Sequence, residues 1–285
     1  ECPGLFPLKV NGGNERKWIL TVNNGGSPAG SGGTQYFIGK FDGHAFIADD
    51  NKTRWLDGGA DEYAGIIWNN TGDRTIFIGW MNNWPPANNN IPSYIWRGGM
   101  TLPMELSLQK VNDSTEFVIK QPVKELRRME HTIFTSDHVK LSNGTWIKSF
   151  PGDRLSSSMI KLTAKMNNSQ KLIVSLQNDL GQYVDIGYDK QHFQLVIDRT
   201  HAGKNNFHAE SAPKHAVEIP GDLSTIELTI FYDRSTLEVF FDNGRWVTTD
   251  LVFPSKLYDQ LKIEMPGGSG EIKKLQVARL SSVWK

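Results

Sequence analysis

Few side chains in this sequence have the types and spacing that chemistry demands. The seven histidines are scattered, with no His-Glu-x-x-His run and no paired metal spacing. His201 and His208 fall in polar, loop-like stretches. The single cysteine, Cys2, excludes a Cys-rich zinc site and an intrachain disulfide. Ser156-Ser157-Ser158 lacks the flanking glycines of a nucleophile elbow. Gly30-Ser31-Gly32-Gly33 lacks the Lys-Ser/Thr of a phosphate loop. No metal and no cofactor are therefore expected. Carboxyl groups and aromatic rings remain. Trp55, Trp68, Trp80, Trp84 and Trp96 crowd into the first half. Rings stack on the C–H faces of sugars, but they also fill β cores, and composition alone does not separate the two. Glu1, taken alone, reads as an ordinary terminal carboxyl.

The elements that must position these residues are strands. Lys17–Asn24, Thr34–Phe41, Gly65–Trp68, Thr75–Met81, Met100–Lys110 and Glu116–Lys120 are short runs closed by turn signals such as Asp42-Gly43 and Gly72-Asp73. Such short meanders suggest a propeller, barrel or sandwich. The charged stretch Pro122–Met129 breaks the pattern and reads as a connector with a single helical turn. Strands beyond it are longer and alternate more clearly: Ser158–Lys165, Lys171–Leu176, Tyr183–Tyr188, Phe193–Asp198, Thr225–Tyr232, Thr236–Phe241, Arg245–Phe253, Leu261–Met265 and Ile272–Leu280. That alternation reads as a two-sheet sandwich. No convincing helix period appears.

Lys plus Arg number 31 and Asp plus Glu 31, so the chain of 285 residues has no net charge and no basic stripe for nucleic acid. No apolar run is long enough for a membrane helix. The start, ECPGLFPLKV, has no signal-peptide pattern, so either a signal was removed or the true N-terminus lies elsewhere. Five sequons, at Asn51, Asn69, Asn112, Asn143 and Asn167, favour a secreted, extracellular glycoprotein.

Several segments, in order, resemble glycoside hydrolase family 32, the invertases, inulinases and levanases. They are Glu1-Cys2-Pro3, the Gly-rich loop from Pro28 to Gly33 followed by Gln35-Tyr36-Phe37, and Asp57-Gly58-Gly59-Ala60-Asp61-Glu62-Tyr63-Ala64. Trp80-Met81-Asn82-Asn83-Trp84 with Trp96-Arg97 follows, and then Asp233 through Gly244. Each motif is weak alone; the ordered series is specific and spans nearly the whole chain. The resemblance implies an all-β chain: the last blades of a five-bladed β-propeller in residues 1–120, a linker at 121–130 and a β-sandwich at 131–285. It also implies a retaining β-fructofuranosidase acting on sucrose or fructan, with Glu1 as general acid/base.

Trp84 is then expected to wall the fructose subsite, although a core tryptophan is its simpler reading. Tyr63 and Asp61 are expected to face substrate, Asp61 having turn capping as its alternative. Cys2 reads as a small buried residue, and Trp96-Arg97 as a structural pair. Glu62 stands where the family commonly has an aromatic residue. Asp233–Gly244 is expected to be structural, a strand and hairpin turn. The family's Asn-Asp-Pro-Asn-Gly nucleophile motif and its Arg-Asp-Pro motif do not occur in these residues. An N-terminal propeller segment, upstream or on a separate chain, is therefore expected as a partner, because an open ring exposes strand edges. A non-catalytic carbohydrate-binding protein and a fructosyltransferase are the alternative functions, and a homo-oligomer is left open.

Overall fold

The computed structural model describes residues 1–30, 32–88, 91–93, 97–112, 115–142, 144–204 and 213–283. The first unit is built from strands β1 (Gly4–Lys9), β2 (Arg16–Gly25), β3 (Gly32–Phe41), β4 (Phe46–Ala48) and β5 (Arg54–Trp55). It continues with β6 (Tyr63–Ile67), β7 (Thr75–Met81), β8 (Gly99–Met100), β9 (Met104–Asn112) and β10 (Thr115–Pro122). These make two antiparallel meanders, β1-β2-β3-β4 and β10-β9-β7-β6, with β5 beside β3 and β8 beside β7. A four-stranded antiparallel meander is the repeating unit of a propeller, and the fold class is propeller blades followed by a sandwich. The two sheets are glued by Phe6, Leu8, Ile19, Tyr36, Ile38, Phe77, Leu106 and Leu108. Phe6 and Leu8, Tyr36 and Ile38, and Leu106 and Leu108 are alternate residues of their strands, so the period of two puts each pair on one face.

A 3-10 helix, Lys124–Met129, leads into the second unit. Its strands are β11 (Glu130–Ser142), β12 (Thr145–Ser149), β13 (Ser158–Met166), β14 (Lys171–Gln177), β15 (Tyr183–Asp189) and β16 (Gln194–Asp198). Then come β17 (Lys214–Glu218), β18 (Thr225–Asp233), β19 (Thr236–Phe241), β20 (Trp246–Leu251), β21 (Gln260–Glu264) and β22 (Ser269–Leu280). Two six-stranded sheets, β11-β22-β13-β18-β19-β20 and β12-β21-β14-β15-β16-β17, face each other. Leu162, Val174, Ile186, Ile230, Val239, Ile263 and Leu275 fill the space between them. Alternation alone locates most of these strands. It misses β11, β12 and β17; β11 and β12 are mostly exposed, with few residues such as Phe134, Val139 and Trp146 turned to the core.

The strand Thr236–Phe241 is buried on both faces. Leu237, Val239 and Phe241 belong to the sandwich core, while Phe240 packs with Met104, Phe231 and Val247 between the two units. The adjacent edge strand β20 is covered by the loop from Asp57 to Asp61. Gly58 N donates to Val247 O (2.8 Å), Asp61 N donates to Thr249 O (3.0 Å), and Thr249 N donates to Asp57 Oδ1 (2.8 Å). An exposed sheet edge is thereby paired rather than left as a template for aggregation. Gly59 permits the approach: a Cβ there would lie 2.3 Å from the Thr249 backbone.

Candidate active site

Glu1 is seated by its neighbour strand rather than by its own side chain. Its nitrogen donates to Asn23 O (2.7 Å), and Asn23 N donates to Glu1 O (2.9 Å). The Glu1 side chain is exposed, and its Oε2 accepts from Tyr63 Oη at 3.2 Å. Tyr63 is mostly buried; burial and then the Glu1 carboxylate push its phenol pKa up, which keeps the hydroxyl a donor. Gly32 makes room for that ring, since a Cβ there would sit 2.7 Å from it. Cys2, read from sequence as buried, is exposed, and takes a left-handed φ of 42°.

The loops around this carboxyl are tied together by Asn83. Its buried Nδ2 donates to Gly32 O (2.9 Å) and Ala60 O (3.0 Å), while its Oδ1 accepts from Trp84 N (3.0 Å). Trp84 begins the one-turn helix α1 (Trp84–Asn88), with Pro85 in the first turn, where its missing N–H costs nothing. The Trp84 ring is 53% exposed and stands edge-on to Trp80, centroids 5.4 Å apart. Within these 285 residues it is not packed into the core. Arg97 donates to Ala87 O (3.2 Å); Trp96 and His208 lie outside the described residues. His201 is exposed and packs on Tyr183. Among the described residues no cluster of His, Cys, Asp and Glu has the makings of a metal site.

Asp61 corrects the sequence reading. It does not face an open site. It is fully buried against the sandwich, where Oδ2 accepts from Arg199 Nη1 (2.9 Å) and Leu251 N (2.7 Å). Arg199 Nε lies 3.5 Å from Asp250 Oδ1, which also accepts from His215 Nε2 (2.8 Å) and Ala60 N (3.3 Å). Burial raises the Asp61 pKa to about 6, against the pull of Arg199. Burial also disfavours ionised Asp250, but His215 and Arg199 outweigh it and hold that carboxyl well below the ordinary range. Asp57 is likewise interfacial: its Oδ2 accepts from Lys120 Nζ and Thr249 Oγ1, both at 2.8 Å. The two aspartates of the motif therefore weld the units, while Tyr63, two residues on, reaches Glu1.

Glu238, inside the Asp233–Gly244 stretch, accepts from Leu102 N (3.1 and 3.2 Å to its two oxygens), and burial raises its pKa to about 8. A lone Glu within the apolar run Leu237–Phe241 is the sequence signal that reasoning from hairpin chemistry passed over. Glu62 was also passed over as a buried group. It is 1% exposed and its pKa is raised to about 7 by burial, with Lys120 opposing and Asp57 assisting.

A family model described as "Glycosyl hydrolases family 32 N-terminal domain" matches residues 1–122, and one described as "Glycosyl hydrolases family 32 C terminal" matches 122–279. The levanase of Bacillus subtilis (strain 168) is 31% identical over 294 residues, covering 100% of this chain and 43% of its own length. The extracellular exo-inulinase of Aspergillus niger is 32% identical over 298 residues, covering 100% of this chain and 55% of its own. The crystal structure of exo-inulinase from Aspergillus awamori superposes with a TM-score of 0.89 at 29% identity, covering 100% of this chain and 57% of that one. The chain thus spans about half the length of these relatives.

Proposed function

Because the chain belongs to glycosyl hydrolase family 32, we propose that it carries the acid/base portion of a retaining β-fructofuranosidase that releases fructose from sucrose or other terminal β-D-fructofuranosides. In this reading Glu1 protonates the leaving glycosidic oxygen and then deprotonates the attacking water. An aspartate from an N-terminal propeller segment outside these 285 residues forms the glycosyl–enzyme intermediate, about 5–5.5 Å from the Glu1 carboxyl. Tyr63 orients Glu1, and Trp84 offers its exposed face to the sugar ring. The observation that carries the reading is the Tyr63 Oη–Glu1 Oε2 contact of 3.2 Å, with exposed Trp84 following Asn83, which ties down Gly32 and Ala60. Secretion is part of the proposal, supported by sequon asparagines Asn51, Asn69, Asn112 and Asn167 at exposed positions. Asn143 lies outside the described residues. Residues 121–130 are the proposed linker between the two domains.

The test is E1Q in the full-length protein. Hydrolysis of sucrose is expected to fall by about 10²–10⁴-fold, and azide, which needs no base, to restore turnover of an activated aryl fructoside. Undiminished sucrose hydrolysis by E1Q would end the assignment. Glucose and fructose released in equal amounts at high sucrose favour hydrolysis over fructosyl transfer, and no release at all favours a binding protein.

A further inference from the structure

Glu62 is a carboxyl buried where the motif commonly carries an aromatic ring. Gly65 and Gly79 leave room for it: a Cβ on either would come within 2.9 and 2.5 Å of Glu62 Oε1. That Oε1 lies 3.0 Å from the Thr34 hydroxyl, and Oε2 is buried with no hydrogen-bond partner among the described residues. The same Thr34 hydroxyl is 2.8 Å from Asn23 Oδ1. A hydroxyl has a single proton to give. Asn23 cannot supply one at that contact, because its Nδ2 is turned to Cys2 O (3.4 Å). Thr34 can thus donate to Glu62 or to Asn23 but not to both; when Glu62 is neutral it supplies the proton of its own contact, and Thr34 is free to donate to Asn23. A neutral carboxyl also suits the bare Oε2, since a buried carboxylate oxygen without a donor is costly.

Asn23 is the mount of Glu1. Its backbone pairs with Glu1 on both sides, and its side chain holds Cys2 O, the residue with the left-handed φ. We propose that Glu62 is a positioning residue for Glu1: as a protonated carboxyl it fixes Thr34 and Asn23, which hold the backbone that aims Glu1, and its ionisation loosens that hold. This rests on Glu1 being the acid/base, as read above.

The groups facing Glu62 come from four elements. They are Lys120 of β10, Asp57 of the interdomain loop and Glu238 of β19, with the Thr34 backbone added from β3. Burial outweighs the Lys120 ammonium, which is already engaged by Asp57 at 2.8 Å. Glu62 therefore ionises near neutrality. Once ionised it only accepts, and a charge-assisted bond draws the Thr34 proton away from Asn23 Oδ1. Asn23 then loses its donor.

The experiment compares full-length wild type, E62Q, E62M and T34V on sucrose from pH 5 to 8, with melting temperature recorded in parallel. Wild-type kcat is expected to fall about tenfold as Glu62 ionises, with KM changed less than about twofold. E62M and T34V show the low kcat at every pH. E62Q, whose amide still donates to Thr34, recovers most of the E62M loss and flattens the basic limb. Glu62 favours its protonated form in the folded state, so its contribution to stability declines as pH rises from 4.5 to about 7. E62Q removes that slope whether or not the protein hydrolyses sucrose, so an inactive wild type sinks the glycosidase reading alone. A basic limb in E62Q superimposable on wild type, or T34V kcat within about twofold of wild type throughout, would overturn the proposal. E62Q is isosteric, so its profile decides the matter even if T34V or E62M fails to fold.

Discussion

Replacing Arg199 by methionine tests the weld between the two domains. Arg199 is 1% exposed; it donates to Asp61 Oδ2 (2.9 Å) and Leu251 O (3.0 Å) and stands 3.5 Å from Asp250. Methionine refills most of the stem volume, so packing loss is small. The main cost is two buried carboxylates left facing each other. Asp250 keeps His215 and Ala60 N; among the described residues Asp61 keeps only Leu251 N as a hydrogen-bond donor. Breaking such a pair from one side costs about 3–5 kcal/mol when the remaining charge persists. Asp61 has an escape, because its pKa is already about 6 and rises further without Arg199. At pH 5 it takes a proton, and the cost shrinks to the unfilled Leu251 carbonyl and a lost hydrogen bond, about 1–2 kcal/mol. At pH 8 the full cost stands. In a chain of this size each kcal/mol moves Tm by roughly 2–4 °C, so R199M should melt about 6–20 °C below wild type at pH 8 and less than half as far below at pH 5. Calorimetry at both pH values measures this. Adding D61N to R199M should return part of the pH 8 loss, since the uncompensated charge is gone. Equal Tm losses at the two pH values, or a pH 8 loss under about 1 kcal/mol, would refute the reasoning.

Other outcomes follow from single contacts. G59A puts a Cβ 2.3 Å from the Thr249 backbone and should cost about 1–3 kcal/mol or more, read by urea unfolding; a neutral effect would mean that the loop does not dock on β20. E238Q should match wild type below about pH 4.5 and gain on it progressively from there to about pH 8, as the wild-type carboxyl loses the stability its folded-state proton gave. It should raise stability at pH 9, above the pKa of about 8, where wild type must bury the charge. In the full-length enzyme Y63F removes the Glu1 hydrogen bond and should lower kcat by about tenfold, with KM nearly constant. W84A should instead raise KM for sucrose about tenfold and spare kcat, as loss of a binding face would; an unchanged KM removes Trp84 from the subsite.

Local pattern carried the class and much of the element order. Short β-rich runs closed by turn signals read as strands, and Thr75–Met81 and Thr236–Phe241 are bounded in the fold as they are in the sequence. Motif order singled out Glu1 and Tyr63, which meet at 3.2 Å although 62 positions apart. Tertiary structure alone decided the rest. Asp61 and Tyr63 are separated by a single residue, yet one is sealed against Arg199, 138 positions away, and the other reaches Glu1. Which carboxyl is buried, and so which pKa is raised, depends on the strand that happens to cover it. Glu62 and Glu238 read as ordinary acids in the chain; only the packing of β10, β19 and the 57–61 loop makes them proton-holding groups, because desolvation is a property of the surroundings and not of the residue.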